Sequence, residues 1–234
     1  MTATTMRMES KAKAAAAEPS QKSDMPALVY YSQLTKADGG VATTTTTSMS
    51  KKKSSSSAPS YNATSSPRKR KASAADAAFV NAVAVHALDY DDTGLDGHPS
   101  VVLGPVVLAE AETLGCNWQS AATAYVAGYE IWADLIGRDI DKHHGKGWHP
   151  TAVFGVVACA AASAHLHRLN PVQTANALGI AASFASGLVV NFGSMTKPLQ
   201  VGWAARNGII ARQLAQRGLT ATHDTLENPH GFLS

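Results

Sequence analysis

Thr151-Ala-Val-Phe-Gly-Val-Val-Ala-Cys-Ala-Ala-Ala-Ser-Ala164 is the longest apolar run in the chain, and its reading decides the fold. It falls short of the ~20 residues needed to cross a bilayer and leads straight into His165-Leu-His167-Arg168, so no membrane span is expected. Small size marks the run as much as apolarity does. Ala, Gly and Ser recur through Val156 to Ala164, and again through Gly179 to Gly187 and Gly202 to Gly208. Small side chains let helix axes approach closely, so these stretches point to a tight all-α bundle.

Outward from this run, apolar residues recur at three- and four-residue steps from Ala74 onward, with almost no alternating strand pattern. Punctuation divides the region into six helices. The first spans about Ala75 to Tyr90 and ends in Asp89-Tyr-Asp-Asp92 and the loop Gly94-Leu-Asp-Gly97. The second begins at Pro99, suited to a first helical turn, and ends at Gly115. The third has Asn117 as its N-cap and runs to Gly137. The fourth covers about His149 to Arg168, the fifth follows Asn170-Pro171 and ends near Gly187, and the sixth opens at Pro198 or Leu199 and reaches Arg217-Gly218.

Before residue 73 the composition is different. Of 234 residues with a formal charge of +3, residues 1–72 hold 12 of the 20 Lys/Arg and 4 of the 17 Asp/Glu, or +8. Residues 73–234 hold the other 8 and 13, or −5, together with all nine histidines and all four tryptophans. Runs such as TTTTT, KKK and SSSS leave the first part little with which to offset chain entropy. The expectation is therefore a disordered Ser/Thr/Lys-rich tail over 1–72 and a folding unit over 73–234. Pro67-Arg-Lys-Arg-Lys71 could mark nuclear import or nucleic-acid binding, but the folded part is acidic and lacks a basic face, so no nucleic-acid partner is expected.

Cys116 and Cys159 form no CxxC and have no second pair, which points to neither a disulfide framework nor a thiolate metal site. Glu9 interrupts the N-terminus before any apolar region, so no ordinary secretory signal is expected. The cytoplasm is the expected compartment, with the mitochondrion as the alternative because the first part is rich in Ser, Thr and Ala and poor in acids. No P-loop, GxGxxG, GxSxG or HExxH is present.

Three polar groups remain. The first is His86, Asp89, Asp91, Asp92, Thr93 and His98. On a continuous helix His86, Asp89 and Thr93 would share a face, and the Gly-bounded loop would bend His98 back toward it. Carboxylates beside an imidazole suit general acid or base work; the competing reading is a solvated turn, although acids are unfavourable at the negative end of a helix dipole. The second is His143, His144 and His149 with Asp139 and Asp141. Its spacing fits no standard metal-ligand pattern, so no metal is expected. His149, after Gly147-Trp148 and before Pro150, opens the small-residue helix, where it can project into a cavity. The third is Gly193-Ser-Met-Thr-Lys197-Pro198, whose lone lysine near a helix N-terminus suits a substrate carboxylate, or is simply solvated. His165 and His167 read as a helix end, and His223 and His230 as surface positions.

Read together, His86-Ala-Leu-Asp-Tyr-Asp-Asp-Thr93, His98-Pro-Ser100, Ala127-Gly-Tyr-Glu130, Gly147-Trp-His-Pro-Thr151, Ala177-Leu-Gly-Ile180, Gly193-Ser-Met-Thr-Lys197 and Leu226-Glu-Asn-Pro-His-Gly-Phe232 resemble the MmgE/PrpD family. The likeness runs in register from about Ala74 to Leu233 and concerns the family's helical N-terminal domain. The family includes 2-methylcitrate dehydratase, cis-aconitate decarboxylase and iminodisuccinate epimerase. The resemblance implies a metal-free, cofactor-free lyase or isomerase acting on small di- or tricarboxylates, usually as a homodimer, with its site between the helical domain and an α/β lid. By motif it places active-site residues at Asp89, Thr93, His98, His149 and Lys197. Lys197 and Thr93 would hold substrate carboxylates, while His98 or His149, positioned by Asp89, would move a proton beside a carboxylate.

Three departures stand out. A low-complexity stretch replaces the family's opening helices, Gln200 stands where many members have a histidine, and the sequence stops after the Gly231-Phe-Leu233 motif with no lid. The alternative reading is thus a catalytically incomplete helical module serving interaction or dimerisation.

Overall fold

The computed structural model describes residues 72–140 and 142–234, and over these the protein is all α-helical. Six helices follow in order: α1 Ala74–His86, α2 Pro99–Leu114, α3 Trp118–Arg138, α4 Pro150–Leu166, α5 Pro171–Ala182 and α6 Thr196–Gln216, with a 3₁₀ turn at Val189–Asn191. The tail expected over 1–72 lies, but for Ala72, outside the described residues.

Local chemistry sets most boundaries. Ser73 and Asn117 accept hydrogen bonds from the backbone N–H groups of Asp76 and Ser120, and Asn170 forms a reciprocal capping box with Gln173, each satisfying an otherwise orphaned donor. Pro99, Pro150 and Pro171 occupy first-turn positions where the missing N–H costs nothing. Gly115 closes α2 in the left-handed conformation at φ 64°.

The opening run becomes α4, the centre of the bundle. Every residue from Pro150 to Ala164 is buried, and α2, α3, α5 and α6 pack around it. A helix apolar on all sides needs cover on all sides, and here neighbouring helices provide it. Among the described residues no helix is long and apolar enough to cross a membrane.

Close approach depends on missing side chains. A Cβ at Gly128 on α3 would lie 2.6 Å from Leu103 Cδ2, 2.9 Å from the Ala158 carbonyl oxygen and 3.0 Å from Ala162 Cβ. A backbone oxygen cannot swing aside, so the α3–α4 crossing would have to open. Gly128→Val is expected to cost about 1–3 kcal/mol, read as a lower thermal unfolding midpoint. Gly104→Ala on α2 is the control: its Cβ would meet nothing within 4 Å, so the substitution should be neutral or stabilising by about 0.5–1 kcal/mol.

A polar cluster sits inside the bundle. Glu110 of α2 accepts hydrogen bonds from Ser163 Oγ of α4 and Arg212 Nη2 of α6, and His167 Nε2 lies 3.2 Å from Glu110 Oε1. Arg212 also donates to Ser163 Oγ at 3.0 Å and to Gln216 Oε1 at 2.8 Å. Cys159 is fully buried on α4, and desolvation, aided by Glu110, pushes its thiol pKa up. It is held as an inert thiol.

Candidate functional site

The site forms where three segments meet: the loop after α1, the first residue before α4, and the connection between α5 and α6. The structure corrects the sequence reading of the first. α1 ends at His86 instead of Tyr90, and Asp89 adopts a left-handed backbone at φ 57°. His86, Asp89 and Thr93 therefore share no helical face.

With the chain turned away from the helix, each acid finds a separate partner. Asp89 receives both its oxygens' contacts from Lys197 Nζ, at 2.7 Å each. The Asp91 carboxylate, almost wholly buried, sits between two imidazoles: Oδ2 accepts from His86 Nδ1 at 2.7 Å, and Oδ1 lies 2.7 Å from His98 Nδ1. Asp92 accepts from the backbone N–H and hydroxyl of Ser100 at 3.1 and 2.8 Å, serving the orphaned donors at the start of α2. The three acids expected beside a helix C-terminus thus hold a lysine, two histidines and a helix N-terminus.

His98 Nδ1 also lies 2.9 Å from the Asp92 carbonyl oxygen, and its backbone N–H donates to Thr151 Oγ1 at 3.2 Å. Its Nε2 faces Asp89 Oδ1 at 3.9 Å. Thr93 remains exposed on the loop, outside this set of contacts. Asp89, expected to position a histidine, lies 3.6 Å from His86 Nδ1 and 3.9 Å from His98 Nε2 while paired to Lys197, and Asp91 makes the closer contacts to both rings.

His149 enters from the other side. It is 1% exposed, precedes α4, and its backbone N–H donates to the Gly187 carbonyl at 3.1 Å. Gly187 has φ 116°, and a Cβ there would fall 3.0 Å from Ala152 Cβ and 3.3 Å from His149 Cβ, so both conformation and space call for glycine. The ring stacks on His86 at a centroid distance of 6.2 Å and meets Phe192 edge-on at 4.8 Å.

Gln200 fixes the state of His149. The Gln200 Nε2 donates to the Leu188 carbonyl at 3.3 Å, which turns Oε1 toward His149 Nδ1 at 2.7 Å. A carbonyl oxygen only accepts, so Nδ1 carries the proton and Nε2 carries the lone pair. Nε2 of His149 and Nε2 of His86 are both buried without a hydrogen-bond partner. Sequence reading had noted Gln200 only as a departure. A glutamine three residues after Lys197 on a helix opposite His149 was the available signal.

Burial lowers the His149 pKa to about 4, the Gln200 hydrogen bond opposing and the positive charge that Lys197, His86 and His98 can carry nearby assisting. The imidazole is therefore neutral at neutral pH. Between pH 6.5 and about 4 the unfolded chain binds a proton here that the folded chain refuses. Stability contributed at this position is accordingly present above that window and lost as pH falls through it, on the order of 3 kcal/mol in all. Urea unfolding at stepped pH should show that slope, and His149→Gln should flatten it.

Lys197 Nζ lies over the Phe192 ring at 5.0 Å while paired to Asp89, whose pKa is lowered first by that hydrogen bond. His86, Asp89 and His98 each offer a ligand atom within 4.8 Å of the others, a set that could hold a metal. The Lys197 ammonium already occupies both Asp89 oxygens, and a divalent cation would have to displace it.

The second polar group divides. His143 Nδ1 lies 2.7 Å from Asp139 Oδ1 and its ring packs against Phe154 and Phe232, a structural role, while His144 is exposed and Asp141 falls outside the described residues. His165 lies in the last turn of α4 and His167 caps it, and His223 and His230 are exposed.

Residues 33–234 match the MmgE/PrpD N-terminal domain. The match takes in residues 33–71, which belong to the segment read as a tail and are not among the described residues. Cis-aconitate decarboxylase from Homo sapiens is 35% identical over 162 residues, covering 67% of this chain and 34% of that protein. The Mus musculus enzyme of the same name is also 35% identical, over 67% of this chain and 33% of its own length. Cis-aconitate decarboxylase from Aspergillus terreus is 32% identical over 167 residues, 66% of this chain and 34% of that protein. The chain spans about a third of the length of these curated relatives.

Proposed function

Since this chain belongs to the MmgE/PrpD family, we propose that it acts as a lyase on a small di- or tricarboxylate, by histidine acid–base chemistry, without a metal or other cofactor. The observation that carries this reading is the buried, neutral His149, whose Nδ1–H is tied to Gln200 and whose Nε2 lone pair is unpartnered. Such a nitrogen suits a general base. Since His149 is neutral above about pH 4, the complementary acid role falls to His98. Its Nε2 faces the Asp89–Lys197 pair.

Lys197, with Thr93 at the edge of the loop, would hold substrate carboxylates. A dehydration removes a proton from the carbon beside a carboxylate and delivers one to the leaving hydroxide. A decarboxylation leaves an electron pair that takes up a proton, at the carbon that lost carbon dioxide or, across an adjoining alkene, at the far end of the allylic system. One imidazole that accepts a proton and one that delivers it serve the dehydration, and the decarboxylation needs the one that delivers. The relatives' names favour cis-aconitate as the first substrate to try, with 2-methylcitrate as the second. The protein would work as a homodimer, in the cytoplasm or the mitochondrion.

The test is incubation of the full chain with cis-aconitate, 2-methylcitrate and citrate, following carbon dioxide release and changes in alkene absorbance. Turnover of any of the three supports the reading. A folded chain that turns over none overturns it. That result would favour the second reading, an interaction or dimerisation module, for which the exposed apolar residues Leu88, Tyr90, Val190 and Met195 on the two loops beside the site are the supporting observation.

A further inference from the structure

We propose that Asp91 is the positioning residue of this site, fixing the tautomer of His86 and setting a buried negative charge behind His98. Resting on the acid–base reading above, this adds two residues to it, Asp91 and His86. His86 Nδ1 has the Asp91 carboxylate at 2.7 Å as its hydrogen-bond partner, while its Nε2 is buried and unpartnered. His98 Nδ1 makes its hydrogen bond to the Asp92 carbonyl oxygen at 2.9 Å, while Asp91 Oδ1 lies 2.7 Å from the same nitrogen as a buried negative oxygen that accepts no hydrogen bond. The oxygens bonded to the two Nδ1 atoms can only accept. Both rings therefore carry a proton on Nδ1, and His86, whose Nε2 has no acceptor beside it, presents a lone pair there.

The arrangement has a further element. The His86 ring lies between the other two imidazoles, 5.0 Å from His98 and 6.2 Å from His149 by centroids. Fixing His86 fixes the surface against which both catalytic rings pack. The carboxylate does this from a side-chain position only 5% exposed, where charge is weakly screened.

Asp91→Asn replaces one acceptor oxygen with a donor. If the new NH₂ took the Oδ1 position, it would sit 2.7 Å from the protonated His98 Nδ1, a donor crowding a donor, and His98 cannot give up that proton without also losing the Asp92 carbonyl. The NH₂ must then face His86, which loses its Nδ1 proton and takes the Nε2–H form instead. The expected signature is specific to one ring: His86 switches tautomer, and His98 does not.

Side-chain ¹⁵N NMR of the full chain, recorded at a pH where the imidazoles are neutral, reads this directly. The wild-type protein should show Nδ1–H at both His86 and His98, and D91N should show Nε2–H at His86 alone. Nε2–H at His86 in the wild type, or an unchanged His86 in a folded D91N, would overturn the assignment. The wild-type spectrum decides even where D91N does not fold. On a turned-over carboxylate, D91N should lower kcat by about 100-fold with KM little changed, since Asp91 does not reach the substrate. An unchanged kcat with the tautomer switched would also overturn the positioning role. Failure of the chain to turn over any carboxylate would sink the proposed function while leaving the NMR result to decide the placement of Asp91.

Discussion

Replacing Arg212 with Met is expected to destabilise the bundle by about 3–5 kcal/mol, a third or more of the stability of an ordinary domain. Glu110 is 1% exposed, and burial alone would raise its pKa. The adjacent His167, the Arg212 charge and the Ser163 hydroxyl reverse this and hold the carboxyl below its ordinary range. Without Arg212 a charge remains in the interior between α2, α4 and α6. Glu110→Met/Arg212→Met should recover much of the loss, because it removes the orphaned charge along with its partner.

Acidity provides a second check. In the native protein the depressed Glu110 pKa contributes stability above the unfolded carboxyl pKa and loses it as pH falls. In the single variant the buried carboxyl gains by protonation, so acidification should narrow the gap between variant and native protein. Equal urea midpoints at pH 7 would show that the cluster does not hold the helices.

His149→Ala is expected to lower kcat by about 10²–10⁴-fold on any carboxylate the chain turns over. His149 is the one of the three site histidines with no carboxylate at its Nδ1, which is held by the Gln200 amide, whereas Asp91 lies 2.7 Å from Nδ1 of both His86 and His98. Burial keeps it uncharged at neutral pH. Gln200→Leu keeps the ring but removes the acceptor that selects its tautomer, and should show a smaller loss of kcat. Lys197→Met should raise KM more than it lowers kcat, since its ammonium would bind without transferring a proton. If His149→Ala left kcat within a few-fold of native, the base would have to be sought elsewhere.

The architecture was legible because it rests on repeating features. The small-residue run over Thr151–Ala164 could pack only inside a bundle, and Pro99, Asn117 and Asn170 announced helix starts that the structure keeps. The end of α1 was hidden by a backbone choice that propensity does not reveal: Asp89 at φ 57° breaks a pattern that reads as helical through Tyr90. The α5 boundary failed similarly, since Ala182 is followed by Ser183, Phe184 and Ala185, residues as compatible with helix as with the turn they form.

Within the candidate site, the structure brings together four of the residues that the sequence singled out, Asp89, His98, His149 and Lys197. It could not say which of three neighbouring acids turns inward. That is decided by Ser100 claiming Asp92 and Lys197 claiming Asp89, contacts across separations of 8 and 108 residues. Gln200 was visible but mute, because a tautomer depends on where an amide's other end is anchored.

That anchor has a consequence for traffic of protons. Because Gln200 Nε2 is committed to the Leu188 carbonyl, the amide cannot invert to relay a proton away from the rear of His149. Any hydrogen that His149 removes from a bound molecule must leave by the same Nε2 face through which it arrived, so the ring is reset only by the product, by a neighbouring imidazole, or by water admitted after release.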